Sequence, residues 1–333
     1  MKDKEKAYRD KVFGSQFIEF LRRRLILLRE ILADDGSIYV HLDWKKGHYL
    51  KAVLDEVFGE VNFRNEIPWQ RTYAHSDAGR FGIVHDTLFF YSKDDSYVFN
   101  RQSKAHSASY IASHYGQVDS DGRRFRLITM TGAGQGPARR FNGKMISPPD
   151  GRHWTYRQET IDRLLQEGKI VFVSTGQPNL KVYLDEMEGT VIQSIWQDIP
   201  PVNPVGRERM GYPTQKPEGL LERIIRASSS ENDIVLDCFA GSGTTPAVAE
   251  KLGRRWIAMD CGKLAIYTTQ KRLFSLTTTI GSAKKDDRTE PERVGGSVIE
   301  LNRVSRECAA GGDAYGSEGY EPSTSLATRI LCG

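Results

Sequence analysis

Residues 233–260 read DIVLDCFAGSGTTPAVAEKLGRRWIAMD. Aliphatic Ile234, Val235 and Leu236 suit a buried strand over 233–237, which gives way to a loop of small residues holding Gly241 and Gly243. A helix is predicted over 244–252 and a second strand over 255–260. Many nucleotide sites open with strand, glycine loop and helix, so the loop alone says little. Three details narrow it. Asp237 closes the first strand at the mouth of the loop. Pro246 stands where a dinucleotide fingerprint has its third glycine. Asp260 closes the second strand, where an acid can take a pair of ribose hydroxyls. A pyrophosphate would be repelled by Asp237, and phosphate loops offer backbone N–H groups and a lysine instead.

A ligand without phosphate, carrying an amino group and a positive sulfonium, suits that carboxylate. S-adenosyl-L-methionine has this chemistry. The other readings are a tight turn with a buried capping aspartate, and an NAD site. Upstream, GYPTQKPEGLLERIIRASS (211–229) puts Thr214, Gln215 and Lys216 just before a proline-started amphipathic helix, where their donors can hold a carboxylate. Alone, that segment is a well-capped helix.

Taken together, TQKP followed by DCFAGSGTT resembles the amino-methylating DNA methyltransferases, the adenine-N6 and cytosine-N4 enzymes, in the permuted order with a C-terminal cofactor half. The resemblance covers roughly residues 10–275, including DDGSIYVHLDWKKGHYLKAVLDEVFGE and HDTLFFYSK. It implies a Rossmann-like, S-adenosylmethionine-dependent α/β fold with a permuted, largely parallel and doubly wound but incomplete sheet, lacking one or more strands at its N-terminal side, and an inserted DNA target-recognition region. It also implies that Asp237, Phe239, Gly241, Gly243 and Thr244 cradle the methionine part, that Asp260 takes the ribose, and that Thr214 and Lys216 stand beside them. Cys238 replaces the proline commonest in the family, at a position that works through its backbone.

Outward from this core, helices are predicted over 15–32, 47–58, 158–168, 217–229 and 262–275, and strands over 37–42, 65–70 and 85–92. Residues 1–98 and 201–275 form the core. Residues 99–200, richer in Arg, Gly, Ser, Gln and Tyr, read as the recognition insertion. Residues 276–333, with few large apolar side chains, read as a poorly ordered tail. The net charge of +4 permits a nucleic-acid partner without demanding one. Cys238, Cys261, Cys308 and Cys332 have neither metal-ligand nor disulfide-framework spacing, which suggests a reducing cytoplasm. No apolar run approaches a membrane span.

Between 122 and 157 eight Lys or Arg face one acid, Asp150, with Phe125, Phe141, Trp154 and Tyr156 interleaved. Arg123, Arg124, Arg126, Arg139 and Arg140 are the candidates for double-stranded DNA, and the glycines at 132–136 permit close backbone approach. A solvated basic face is the alternative. The resemblance also calls for a four-residue Asp/Asn/Ser-Pro-Pro-aromatic loop that orients the target amine. Its family position falls upstream of Met1, so a partial chain, inactive by itself, is expected. Ser147-Pro148-Pro149-Asp150 has an acid where the aromatic belongs and reads as a surface turn. His41 with Asp43, and His85 with Asp86, lie at strand ends on the ligand edge, as possible lining or as capping and half-buried groups. The expected function is site-specific adenine-N6 methylation, with cytosine-N4 methylation or a noncatalytic DNA- or cofactor-binding remnant as alternatives. A restriction subunit is a possible partner; no membrane and no metal are expected.

Overall fold

The computed structural model describes residues 14–73, 79–277, 280 and 328–332. It divides into two compact units, residues 1–102 with 193–333, and residues 103–192.

The first unit begins with helix α1 (Ser15–Ile31), whose Leu21, Leu25 and Leu28 recur at helical spacing on its buried stripe. At Gly36 an added Cβ would stand 2.7 Å from the Ala33 carbonyl and the Leu32 side chain, so the tight exit from the helix needs a glycine. Strand β1 (Ser37–Leu42) then alternates. Ile38 and Val40 join α1 and helix α2 (Gly47–Phe58) in a core with Leu50, Leu54 and Phe58. Tyr39 lies on the opposite face, where its hydroxyl pairs with Ser228 Oγ at 2.7 Å. Strands β2 (Phe63–Gln70) and β3 (His85–Ser92) follow. The chain returns to this unit with helix α3 (Glu218–Ser228), strand β4 (Ile234–Asp237), helix α4 (Thr244–Lys251), strand β5 (Arg255–Ala258), helix α5 (Lys263–Phe274) and strand β6 (Thr328–Cys332).

The sheet order is β5-β4-β6-β1-β3-β2. The first four strands run parallel, and β3 and β2 are antiparallel to their neighbours. The fold is thus α/β with a mixed sheet. One expectation needs correction. Residues 328–332, assigned to a poorly ordered tail, form a strand between β4 and β1, with Ile330 in register with Leu236 and Ile38. Composition averaged over the tail conceals a five-residue strand, whose backbone pairs on both sides. Residues 281–327 lie outside the described residues.

The second unit is richer in strands than its weak periodicity suggests. Ile170–Phe172, Pro178–Tyr183, Arg124–Thr129 and Gln117–Val118 form an antiparallel sheet in that order. Helix Gln158–Gln166 packs Ile161 and Leu164 against Met130, Phe141, Trp154 and Leu180. Phe125, Phe141 and Trp154, expected among the arginines as a nucleic-acid surface, are buried. In a strand, alternate positions point inward, so an aromatic next to an arginine in sequence faces away from it.

Candidate cofactor site

The strand ends and the glycine loop position one another through the two acids. Asp237 is buried. Its Oδ1 accepts the Phe239 N–H at 3.0 Å and its Oδ2 accepts the Thr245 hydroxyl at 2.5 Å. Burial pushes its carboxyl up to about 6; the Asp260 charge adds to this, while the two hydrogen bonds and Lys216 oppose it. Asp260, two residues past the end of β5, holds the loop from the other side. Its Oδ2 accepts the Gly241 N–H at 2.9 Å and its Oδ1 the Gly262 N–H at 2.7 Å. Each oxygen keeps further lone-pair capacity for a ligand donor.

The loop glycines answer to two demands. Gly241 and Gly243 have φ of 51° and 71°, in the left-handed region. At Gly243 a Cβ would also lie 2.7–2.9 Å from the side chain and backbone of Thr269 on α5, so its absence lets that helix close on the loop. Thr244, at the start of α4, donates its hydroxyl to the Lys216 carbonyl at 3.1 Å, which straps the TQKP segment over the loop. Gln215 acts on its own segment: its side chain accepts from Met210 N–H and donates to the Glu208 carbonyl. Beneath the strap, buried Glu218 pairs with Lys251 at 2.7 Å and Arg272 at 3.2 Å, joining α3, α4 and α5. The sequence carries no spacing signal for that network, because its members are scattered along the chain.

These contacts frame a cavity at the carboxyl edge of the parallel strands. Its lining includes Thr214, Lys216, Asp237, Phe239, Gly241 and Thr244, with Tyr39, His41, Leu88, Leu220, Leu221 and Ile224. Six of the eight expected cofactor residues thus meet in one place. Gly243 and Asp260 do not line it: Gly243 lies under Thr269, and Asp260 bonds the Gly241 backbone. Burial lowers the Lys216 ammonium's pKa, against the pull of Asp86 and Asp237. The apolar wall came from outside the motif. Strand alternation sets Tyr39 and His41 on one face of β1, and the register of β3 puts Leu88 on the same face.

The sequence model of the N6/N4 DNA methylase family matches residues 1–271. The chain belongs to the N6/N4 DNA methylase family. This family takes its methyl group from S-adenosylmethionine. Among curated relatives, the type II methyltransferase M.EcaI of Enterobacter cloacae is 37% identical over 306 residues, covering 91% of this chain and 66% of the relative. The StyLTI Mod subunit, from a type III restriction-modification enzyme of Salmonella typhimurium, is 26% identical over 72% of this chain and 39% of its own length. The chain therefore spans less than two thirds of each of these relatives. Among solved structures, the M1.HpyAVI–SAM complex is similar at 17% identity and a TM-score of 0.43, covering 78% of this chain and 85% of that one. The cytosine-N4-specific PvuII DNA methyltransferase is similar at 14% identity and 0.45, covering 79% and 74%.

The five candidate arginines lie in the second unit and are not equally available. Arg123 is held by Asp185 at 2.8 Å and Glu186 at 2.9 Å. Arg124 donates to the Tyr115 carbonyl, and Arg126 to the Tyr110 hydroxyl. Arg140 is exposed, 3.9 Å from Asp162, and Arg139 beside it is half-buried. The acids that temper the basic run come from outside 122–157, so counting charge along the sequence overstated it. Gly132 and Gly136 make room for His153, whose atoms would lie within 2.9 and 2.5 Å of an added Cβ. Their close approach is to the protein itself. Ser147-Pro148-Pro149-Asp150 sits in a turn closed by Arg152 N–H on the Pro149 carbonyl, with Ser147 and Asp150 exposed. Asp43 accepts the N–H groups of Lys45 and Lys46 and shapes the turn into α2. No described helix is long and apolar enough to cross a membrane, and no described cluster of His, Cys, Asp and Glu can hold a metal ion.

Proposed function

We propose that this chain serves site-specific DNA methylation, moving a methyl group from S-adenosylmethionine to the exocyclic amine of adenine, with that of cytosine as the second reading. The observation that carries the proposal is the single cavity where the glycine loop, Thr214 and Lys216 meet over an apolar wall. When bound, S-adenosylmethionine would supply an electrophilic methyl group on a sulfonium, which on transfer would leave a neutral thioether while the proton released from the amine would pass to water. Lys216 and Thr214 take the carboxylate of the amino-acid end, and Asp237 keeps the loop in shape beside the sulfonium. Phe239 and the backbone at Gly241, Gly243 and Thr244 cradle the methionine part, and the remaining lone pairs of Asp260 take the ribose hydroxyls. The second unit, with parts of the expected 99–200 insertion around it, contacts double-stranded DNA. Arg139 and Arg140 lead, because Arg123, Arg124 and Arg126 already have protein partners. Similarity to a Mod subunit favours a restriction subunit as partner, and a cytoplasmic setting goes with that role.

The sequence holds no Asp/Asn/Ser-Pro-Pro-aromatic run, so binding is the sharper first test. Calorimetry should show S-adenosylmethionine and its demethylated product binding to the chain. Asp260→Ala should weaken both by on the order of 1.5–3 kcal/mol, the scale of hydrogen bonds to a charged group. Equal affinity in wild type and variant would remove Asp260 from the site. Where labelled methyl is transferred to DNA, nucleoside analysis separates N6-methyladenine, the expected product, from N4-methylcytosine.

A further inference from the structure

One buried polar group at the cavity has no role in the reading above. His41, on β1, faces the same side of the sheet as Tyr39, and Asp86, on β3, lies diagonally across from it. His41 Nε2 and Asp86 Oδ2 are 3.1 Å apart, and Asp86 Oδ1 is 3.1 Å from Arg71 Nε. The two facing side chains are only 8% and 11% exposed. Burial raises the pKa of Asp86, but His41 and Arg71 outweigh it and hold the carboxyl below its usual range. An ionised carboxylate only accepts, so His41 Nε2 carries the proton. Burial, helped by Lys216 and opposed by Asp86, brings the imidazole down to about 4, and the ring is neutral at pH 7. Its Nδ1 is then a bare acceptor.

Elsewhere in the lining each Asp237 oxygen already accepts one hydrogen bond, from the Phe239 N–H and from the Thr245 hydroxyl, and the Thr244 hydroxyl donates to the Lys216 carbonyl. An amino acid brings a carboxylate and an ammonium, and the ammonium needs an acceptor. We propose that His41, oriented by Asp86 and Arg71, accepts a hydrogen bond from the α-ammonium of the methyl donor's amino-acid end, while Lys216 takes its carboxylate. This rests on the cofactor reading above and names the subsite that reads the amine.

The test is calorimetry at pH 7.5 with S-adenosylhomocysteine and with its analogue lacking the α-amino group, on wild type, His41→Phe and His41→Gln. Wild type should bind the amine-bearing ligand about tenfold tighter than the desamino analogue, the value of one good hydrogen bond. His41→Phe should abolish that preference and leave the desamino analogue within about twofold of wild type, and His41→Gln, which keeps an acceptor, should restore part of it. A preference that survives in His41→Phe overturns the proposal. So does loss of both ligands together in both variants, which would make the ring a wall of the cavity. Wild type that binds neither ligand overturns the cofactor reading, and this proposal falls with it. Wild type that binds both equally overturns this proposal alone.

Discussion

Asp237 and His41 line one cavity and answer to acid with opposite signs. Asp237 titrates near 6 in the folded protein against an ordinary 3.8, so the fold holds that proton more tightly than the unfolded chain does. Its contribution to stability is present below about pH 4 and is lost as pH rises through 6. His41 titrates near 4 against 6.5, so its contribution is present above 6.5 and is lost as pH falls through 4. Across the shared window the two oppose each other. Asp237→Asn should make stability rise more steeply with pH between about 4.5 and 6.5, and His41→Gln should make it fall. Urea midpoints at several pH values check this, and two variants that both run parallel to wild type would refute it. The sequence exposed Asp237 because its partners Phe239 and Thr245 are neighbours along the chain. It left His41 ambiguous because Asp86 reaches it only through the pairing of β1 with β3.

The turn between β4 and α4 works because two glycines accept positive φ and one of them leaves room for α5. Gly243→Ala meets both costs: a Cβ in the left-handed region and contact below 3 Å with Thr269. It should lower stability by about 2 kcal/mol or more, read as a reduced urea midpoint with an unchanged slope. It should also weaken cofactor binding, because α5 and the loop must separate. A neutral result would show that Thr269 yields freely. Elements of this kind were legible where periodicity was long and pure. The helix predicted over 47–58 is α2, and the strand over 37–42 is β1. In the second unit most strands span only two to six residues, too short for a period to declare itself. There Phe125, Phe141 and Trp154 stand among arginines in sequence and look like a surface, although burial makes them a core.

At the scale of the molecule, the net charge of +4 hides an uneven distribution, and DNA binding should depend on exposed Arg140 and half-buried Arg139. Replacing Arg139 and Arg140 with alanine should weaken binding and flatten the log–log salt dependence by about one unit per lost phosphate contact. Arg123→Ala should change the slope less, because Asp185 and Glu186 already neutralise its charge. Identical slopes for all variants would return the basic run to a solvated face. The central strand has a consequence for how the chain is made. Ile38 pairs with Ile330, so β1 meets this partner only after the long stretch between them has left the ribosome. Until then the sheet exists as two patches, β4 with β5 and β1 with β3 and β2, each with an open edge toward the other. Such edges accept strands from other chains. Synthesis therefore carries this protein through an interval in which β6 competes with strands of neighbouring chains for the same slot.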